Sequence, residues 1–525
     1  MAQFHLGTAR ARLGPAAAIV DATRGLAAAM EENRMTRARE SSTEGPPALA
    51  IAELLRFLGC RDEDIVARGG VGEEGEIDAH LAHAAYAFHA SGFDEAAVVV
   101  CANEASLWVG RASGGLERIG ARSGDGSDLK HDAARETGEG GGGGARTRRS
   151  SARASPWDAA CARYRIAAEY SRLTERLGLC PGRDEHLVEA RARAGHAEAA
   201  SVQRALGDEL LDLLSAARET TGCARVCLSG GIFFNTSFTT VAAASGIFDE
   251  VYVPPHPGRN GSALGAALLL CGRRIGAIAS PFLGPAYTDA EIKRSLENCK
   301  LSFDLLHEQR LMEQVLHALS RGRLVGWYHG RLEWGPRALG HRSVLADPFA
   351  PHVLDNLNGF LKHRPAYRAY GVSIPASQLA EYFEVPQHAR AMAGAAVAHS
   401  VPPGDEVRAE GAAPAAPAAR AEALRSGIAR SPFMQFEYRP KDLDRFRTIL
   451  PPGVETIRVH TVDATEPRYL RLLELWGERS GSPVLVNTSF NGFHEPLVCS
   501  PRDAVRVFYG TGLDVLALEN FYLRK

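Results

Sequence analysis

Residues 330–348 read GRLEWGPRALGHRSVLADP, and few folds accommodate such a stretch. Arg331, Arg337 and Arg342 are set among Gly335, Pro336 and Gly340, with the hydroxyl of Ser343 beside them. Apolar runs, LVGWY before and SVLA within, predict strands whose ends meet at the glycines. Guanidinium groups take phosphate or carboxylate through planar, paired hydrogen bonds. Glycines let bare backbone N–H groups approach the same anion. The chain must therefore fold so that several cations converge on one loop, which predicts an oxyanion or phosphate site. A solvated turn with scattered arginines is the bland alternative, and the apolar flanks argue against it.

Two further clusters point the same way. NTSFN at 487–491 follows the apolar run PVLV, so a buried strand should end in Asn487, Thr488, Ser489 and Asn491. These side chains donate and accept hydrogen bonds without adding charge, which suits a carbamoyl, acyl-phosphate or nucleotide group. Lys362, His363, Arg364 and Arg368 stand at helix-like spacing and, taken alone, read as an ordinary basic helix face.

At 525 residues the chain exceeds the usual size of one core, so two domains are expected. AAAIVD (16–21), EAAVVVC (95–101), ARVCLS (224–229), EVYVP (250–254), RLVGWY, SPVLVN and LDVLALENFYLR read as strands. ALAIAELLRFLG (48–59), the segment 198–220, MEQVLHALSR, PRYLRLLELWGER and PRDAVRVFYG carry helical spacing, and Pro501 after Ser500 marks a helix start. The order is α/β. Residues 121–155, with a five-glycine run, and the Ala/Pro-rich 393–428 bury too little apolar surface to offset chain entropy and read as disordered inserts. A net charge of −2 gives no electrostatic case for nucleic acid. The nine cysteines are scattered and expected to be reduced. With neither a leader-like segment nor a membrane-length apolar run, the expectation is a cytoplasmic protein that does not enter a membrane.

In order, GRLEWGPRALGHRSVLADP, KHRPAYRAYGVSI, SPFM (431–434), SPVLVNTSFNGFHEPLVCSPRDAV and TGLDVLALENFYLRK resemble the C-terminal half of the O-carbamoyltransferases of nodulation-factor, cephamycin and aminoglycoside tailoring. EENRMTR (31–37), DAHLAHAAYAF, FDEAAVVV, LSGGIFFN (228–235) and GSALGAALLL (261–270) resemble the N-terminal half in the same order. The resemblance implies an actin/sugar-kinase-like nucleotide-binding domain over 1–280, followed by a YrdC-like α/β domain over 300–525. It implies that the second domain joins carbamoyl phosphate and ATP into carbamoyl adenylate. Arg337, Arg342, Lys362, Arg364, Arg368, Ser489 and Asn491 would line that pocket, with Arg331, Ser343 and Asn487 nearby. Arg337 and Arg342 would hold the phosphate. Gly230 and Gly231 would pass beside a nucleotide. The partners implied are carbamoyl phosphate, ATP and a small hydroxylated acceptor.

The family's iron-type metal site is expected to be lost. Its first histidine aligns with Ala79, its strand-end aspartate with Ala102 and its loop aspartate with Arg259, so His83 is the only retained ligand. His80 is its neighbour on the same predicted helix. The family's opening His-Asp-Ala-Ser motif aligns with Arg12, Leu13, Gly14 and Pro15. A further departure lies at 460–468, HTVDATEPR, where Asp463 and Thr465 match but the family's following Arg and Gln do not. The leading expectation is an O-carbamoyltransferase acting on a secondary-metabolite hydroxyl. Two alternatives stand beside it: a carbamoyl- or acyl-adenylate-forming enzyme serving an unusual acceptor, and a non-catalytic binding homologue.

Overall fold

The computed structural model describes residues 3–10, 14–38, 46–71, 77–102, 104–119, 155–385 and 430–525. The insert predicted at 393–428 lies outside these residues, as does all but the last residue of the one predicted at 121–155. Among these residues the fold is mixed α/β, with three sheets.

The first sheet holds β1 (Phe4–Ala9), β2 (Ala16–Asp21), β3 (Leu26–Glu31) and β4 (Ile65–Val71) in the order β3-β2-β1-β4. The second holds β5 (Glu95–Cys101), β6 (Ala105–Arg111), β7 (Gly115–Ile119), β8 (Arg225–Ser229) and β9 (Glu250–Tyr252) in the order β7-β6-β5-β8-β9. In each, two antiparallel pairings are followed by a parallel one, so the second sheet repeats the plan of the first. β2 and β5 read as near-continuous apolar runs because both faces are covered. The helix Ala79–Ser91, capped by Asp78 on the Leu81 N–H at 2.7 Å, packs on the second sheet. The helix Ser262–Cys271 packs on the first. The two helices touch at Gly265, where a β-carbon would lie 1.8 Å from the Ala82 carbonyl oxygen.

The third sheet contains β10 (Asp304–Leu305), β11 (Val325–Tyr328), β12 (Arg342–Ala346), β13 (Gly371–Pro375), β14 (Phe383–Glu384), β15 (Phe436–Pro440), β16 (Ile457–Val462), β17 (Leu485–Ser489), β18 (Val515–Leu518) and β19 (Phe521–Arg524). Their order is β10-β19-β18-β11-β12-β17-β13-β16-β15-β14. LDVLALENFYLR is a hairpin rather than one strand: Glu519 turns the chain at φ 50°, and β18 pairs back on β19. The helix Pro501–Gly510 starts as its sequence predicts, Ser500 accepting the Asp503 N–H and Asp503 answering.

Arginines join the N-terminal sheets to the third. Arg34 donates to the Gly335 carbonyl at 2.8 Å, and Arg37 to the carbonyls of Leu497 and Pro496 at 2.6 and 2.9 Å. One apolar cluster runs through all three sheets, from Val20 and Val98 to Val344, Val486 and Leu516. No helix among the described residues is long and apolar enough to cross a membrane. All nine cysteines are free thiols.

Candidate functional site

Lys362 is brought to Ser489 and Asn491 by a reversal of the chain rather than by a helix face. The helix Val353–Leu357 loosens into a π turn over Asn358–Lys362, and His363 at φ 46° turns the chain away. The expected basic helix face is therefore absent here, because a left-handed residue cannot continue a helix. The buried Lys362 Nζ donates to the Ser489 carbonyl, to Ser489 Oγ at 3.2 Å, to the Asn491 carbonyl at 3.3 Å and to Asn491 Oδ1 at 2.5 Å. Ser489 Oγ also donates to Asn491 Oδ1 at 2.8 Å, and Asn491 Nδ2 to the Glu495 carbonyl at 2.6 Å. Burial, with Arg364 and Arg368 nearby, pushes the Lys362 ammonium well below its ordinary pKa. An anion entering here would relieve both effects. Arg364 lies over the Tyr370 ring at 5.1 Å.

The strands beside this cluster fix its polar floor. Ser343 on β12 pairs with Ser489 on β17, and Asn487 lies opposite both Leu345 and Gly371. Asn487 Nδ2 donates to the Ala338 carbonyl at 3.1 Å and to Ser373 Oγ at 2.9 Å, while Ser343 Oγ accepts the Gly340 N–H at 3.0 Å. Asn487 and Ser343 thus hold the 335–340 loop against the sheet.

The arginines of that loop divide their tasks. Arg342 is fully buried, donates to the carbonyls of His329 at 2.7 Å, His341 at 3.1 Å and Gly330 at 3.0 Å, and lies 3.5 Å over the Tyr328 ring. Both terminal nitrogens of its fork are engaged by backbone carbonyls rather than turned to a ligand, and Nε has no hydrogen-bond partner. Arg331 donates to the carbonyls of Gly284, Ala27 and Leu283 and stitches the sheets together; burial draws its pKa down to about 10. Arg337 reaches the LSGGIFFN segment instead, donating to the Phe234 carbonyl at 2.7 Å. Its pKa falls to about 9 through burial and the neighbouring Arg458.

The loop's N–H nest is occupied by a residue of its own. Glu333, 2% exposed, accepts the N–H groups of Leu339, His341 and Arg342 on Oε1 at 3.0, 3.0 and 2.9 Å. Its role was not visible in the sequence, although Glu333 stands inside the motif.

In the N-terminal half, Gly230 sits at φ 121° with its would-be β-carbon 1.9 Å from the Cys101 carbonyl oxygen, so no side chain fits. Gly231 is exposed and presents bare backbone. The residues at the family's metal positions do not fit an ion. Ala79 and Ala102 offer no donor, and Arg259 brings a cation. His83 Nδ1 is 3.0 Å from Ser229 Oγ, and His80 Nδ1 is 2.8 Å from Ser106 Oγ, so the two rings serve different serines. Burial first, and His80 second, take His83 down to about 3. Among the described residues no three His, Cys, Asp or Glu side chains gather as a metal site.

The departure at 460–468 has a structural account. Asp463 holds Thr465 and pairs with Arg430 at 3.0 Å, and Arg468 pairs with Glu519 at 2.9 Å. Glu466 Oε2 meets His341 Nε2 at 2.6 Å, while His341 Nδ1 meets the Arg331 carbonyl at 2.6 Å. Burial opposes charging this ring, but Glu466, its hydrogen bond and Glu333 outweigh it and raise the pKa. A raised folded pKa means stability that is complete below the ordinary value of about 6.5 and is lost as pH climbs through the folded value. His329, 5.2 Å away and paired with Glu519, is shifted down by burial and acts in the opposite sense below neutrality. Urea unfolding of wild type and His341→Gln across that range should show a gap of about 1–3 kcal/mol at the acid end that narrows as pH rises. A gap independent of pH would show that the ring is not charged.

The carbamoyltransferase C-terminus model matches residues 316–402 and 406–525, and the carbamoyltransferase N-terminus model matches 154–268. An uncharacterized protein of Synechocystis is 33% identical over 340 residues, covering 62% of this chain and 52% of its own length. Nodulation protein NolO of Bradyrhizobium diazoefficiens is 30% identical over 334 residues, 62% of this chain and 54% of its own. The 3'-hydroxymethylcephem-O-carbamoyltransferase of Amycolatopsis lactamdurans is 28% identical over 311 residues, 57% and 48%. The chain spans about half the length of these relatives. With both family models matched in sequence order, the chain belongs to the O-carbamoyltransferase family.

Proposed function

We propose that this protein activates carbamoyl phosphate with ATP as carbamoyl adenylate and delivers the carbamoyl group to the hydroxyl of a small acceptor. The observation that carries the reading is the convergence of the Lys362 ammonium with Ser489 and Asn491, a pair more than 120 residues away in sequence, beside Arg364 and Arg368. Lys362 would neutralise the charge of the mixed anhydride as it forms, and Ser489 and Asn491 would orient the planar carbamoyl group. Arg368 would add charge on the same side. The balance is carbamoyl phosphate, ATP and water going to carbamoyl adenylate, pyrophosphate and phosphate. Arg337, on the Phe234 carbonyl, would face the Gly230–Gly231 turn, where a nucleotide-binding half would present its ligand. The repeated strand order of the first two sheets supports reading that half as actin/sugar-kinase-like, and the third sheet as the YrdC-like activating domain. The printed activity of the cephem relative supports a hydroxyl acceptor.

The test is carbamoyl-phosphate-dependent exchange of labelled pyrophosphate into ATP. Exchange is expected; absence of exchange together with no calorimetric binding of either ligand would favour a non-catalytic homologue. The replaced ligands at Ala79, Ala102 and Arg259 lead to a second expectation. Protein purified without chelators should carry no stoichiometric iron, zinc or manganese at the N-terminal site. Elemental analysis showing one ion per chain, lost on His83→Ala, would mean that the site persists in another form.

A further inference from the structure

Aromatic rings stand beside the cluster of Lys362, Ser489 and Asn491. His363 follows Lys362 directly, and Phe493 and His494 follow Asn491 after Gly492. All three rings are exposed, Phe493 at 53%. The Phe493 ring meets the His363 ring edge to face, with centroids 5.4 Å apart at 83°. It meets the His494 ring in the same way, 3.9 Å apart at 64°. We propose that this cluster, led by Phe493, is the stacking platform for the adenine ring of ATP; the proposal deepens the adenylation reading above and rests on it.

The ring is held in place although much of it faces water. Asn491 Nδ2 donates to the Glu495 carbonyl at 2.6 Å, and both oxygens of the Glu495 carboxylate are forked onto Arg506 at 2.6 and 2.7 Å. Arg37 holds the carbonyls of Pro496 and Leu497 just beyond. Phe493 therefore sits in a loop clamped before and after it. His363 and His494 take φ of 46° and 54°, a left-handed backbone that a histidine rarely adopts. Such backbone persists where its surroundings over-determine it, and it gathers at ligand sites. A ring fixed before its ligand arrives loses little freedom on binding, so its contact area converts efficiently into affinity.

Position selects the occupant. Phe493 lies two residues beyond Asn491, at most about 7 Å of chain. Asn491 Oδ1 is in turn 2.5 Å from Lys362 Nζ. A planar group on Phe493 thus lies within a sugar's reach of a phosphoryl group at Lys362. Carbamoyl phosphate has no ring to stack. ATP carries a purine joined to its phosphates through one ribose, so its two ends match the aromatic and the cationic parts of the site. The exposed apolar ring, costly in water, is covered when the base arrives.

Inhibition of the exchange reaction by inorganic tripolyphosphate isolates the contribution of the base, because that probe has the phosphates and no ring. In Phe493→Ala the KM for ATP should rise by about tenfold or more, while the inhibition constant of tripolyphosphate stays at the wild-type value. Phe493→Tyr keeps the π-face and should keep the KM. The kcat and the KM for carbamoyl phosphate should stay near wild type in both variants. Phe493 is half exposed, so its removal opens no core cavity. A KM for ATP that does not move in Phe493→Ala overturns the platform and leaves adenylation at Lys362 standing. A fall in kcat with tripolyphosphate weakened alongside ATP overturns it too, since it would show that Phe493 only supports Asn491. Absence of exchange in wild type overturns the adenylation reading itself, and the platform with it.

Discussion

Replacing Lys362 by methionine should reduce carbamoyl-phosphate-dependent pyrophosphate exchange by about a hundredfold or more, while the fold survives. Methionine keeps the length and apolar body of the side chain, so the buried stem stays packed. What disappears is a cation that touches both Ser489 and Asn491. The two side chains would keep their mutual bond at 2.8 Å, so the polar floor is retained without its charge. Arg337→Lys should lower exchange as well, since a lysine keeps the charge but not the fork. Its effect should be the smaller of the two, because Arg337 stands at the seam and not among the Ser489 and Asn491 groups.

A second readout separates charge from shape. Burial and its arginine neighbours draw the Lys362 pKa down, and a phosphate arriving beside it favours the charged ammonium. Calorimetry should therefore report tighter binding of carbamoyl phosphate by wild type than by Lys362→Met. Exchange that persists at the wild-type rate in Lys362→Met would remove this residue from the mechanism.

The periodic parts of the fold were legible. AAAIVD and EAAVVVC read as buried strands and are strands, and the segment 198–220 became the helix Ala197–Thr221. Ser489 and Asn491 were readable because an apolar strand delivered them to its end. The role of each loop arginine was not readable. Arg342 and Arg331 have the same side chain as Arg337, and only the positions of backbone carbonyls decide which fork is filled. His363 hid the reversal because histidine does not announce a left-handed turn as glycine does. The Thr236–Glu437 contact joins residues 201 apart, and no local pattern encodes such a pairing.

Glu333→Ala should destabilise the protein more than any other single change in the 330–348 stretch. One carboxylate oxygen satisfies three backbone N–H groups in a buried loop. Its removal orphans all three, and an unmet buried donor costs about 1–3 kcal/mol. With partial entry of water, the total should be about 3–6 kcal/mol. Glu333→Gln should lose less, because its amide oxygen still accepts from the three donors, although its NH2 then needs a partner where Glu333 Oε2 has none. The loop also carries the Ala338 carbonyl that orients Asn487 and the Gly340 N–H that meets Ser343, so its loosening should reach the polar floor beside Lys362. Thermal melts should place Glu333→Ala about 5 °C or more below wild type, with Glu333→Gln between them. Exchange activity should fall in the same order even at temperatures where all three are folded. An alanine variant that melts with wild type would mean that water replaces the carboxylate in the nest, and that the loop is held from the sheet alone.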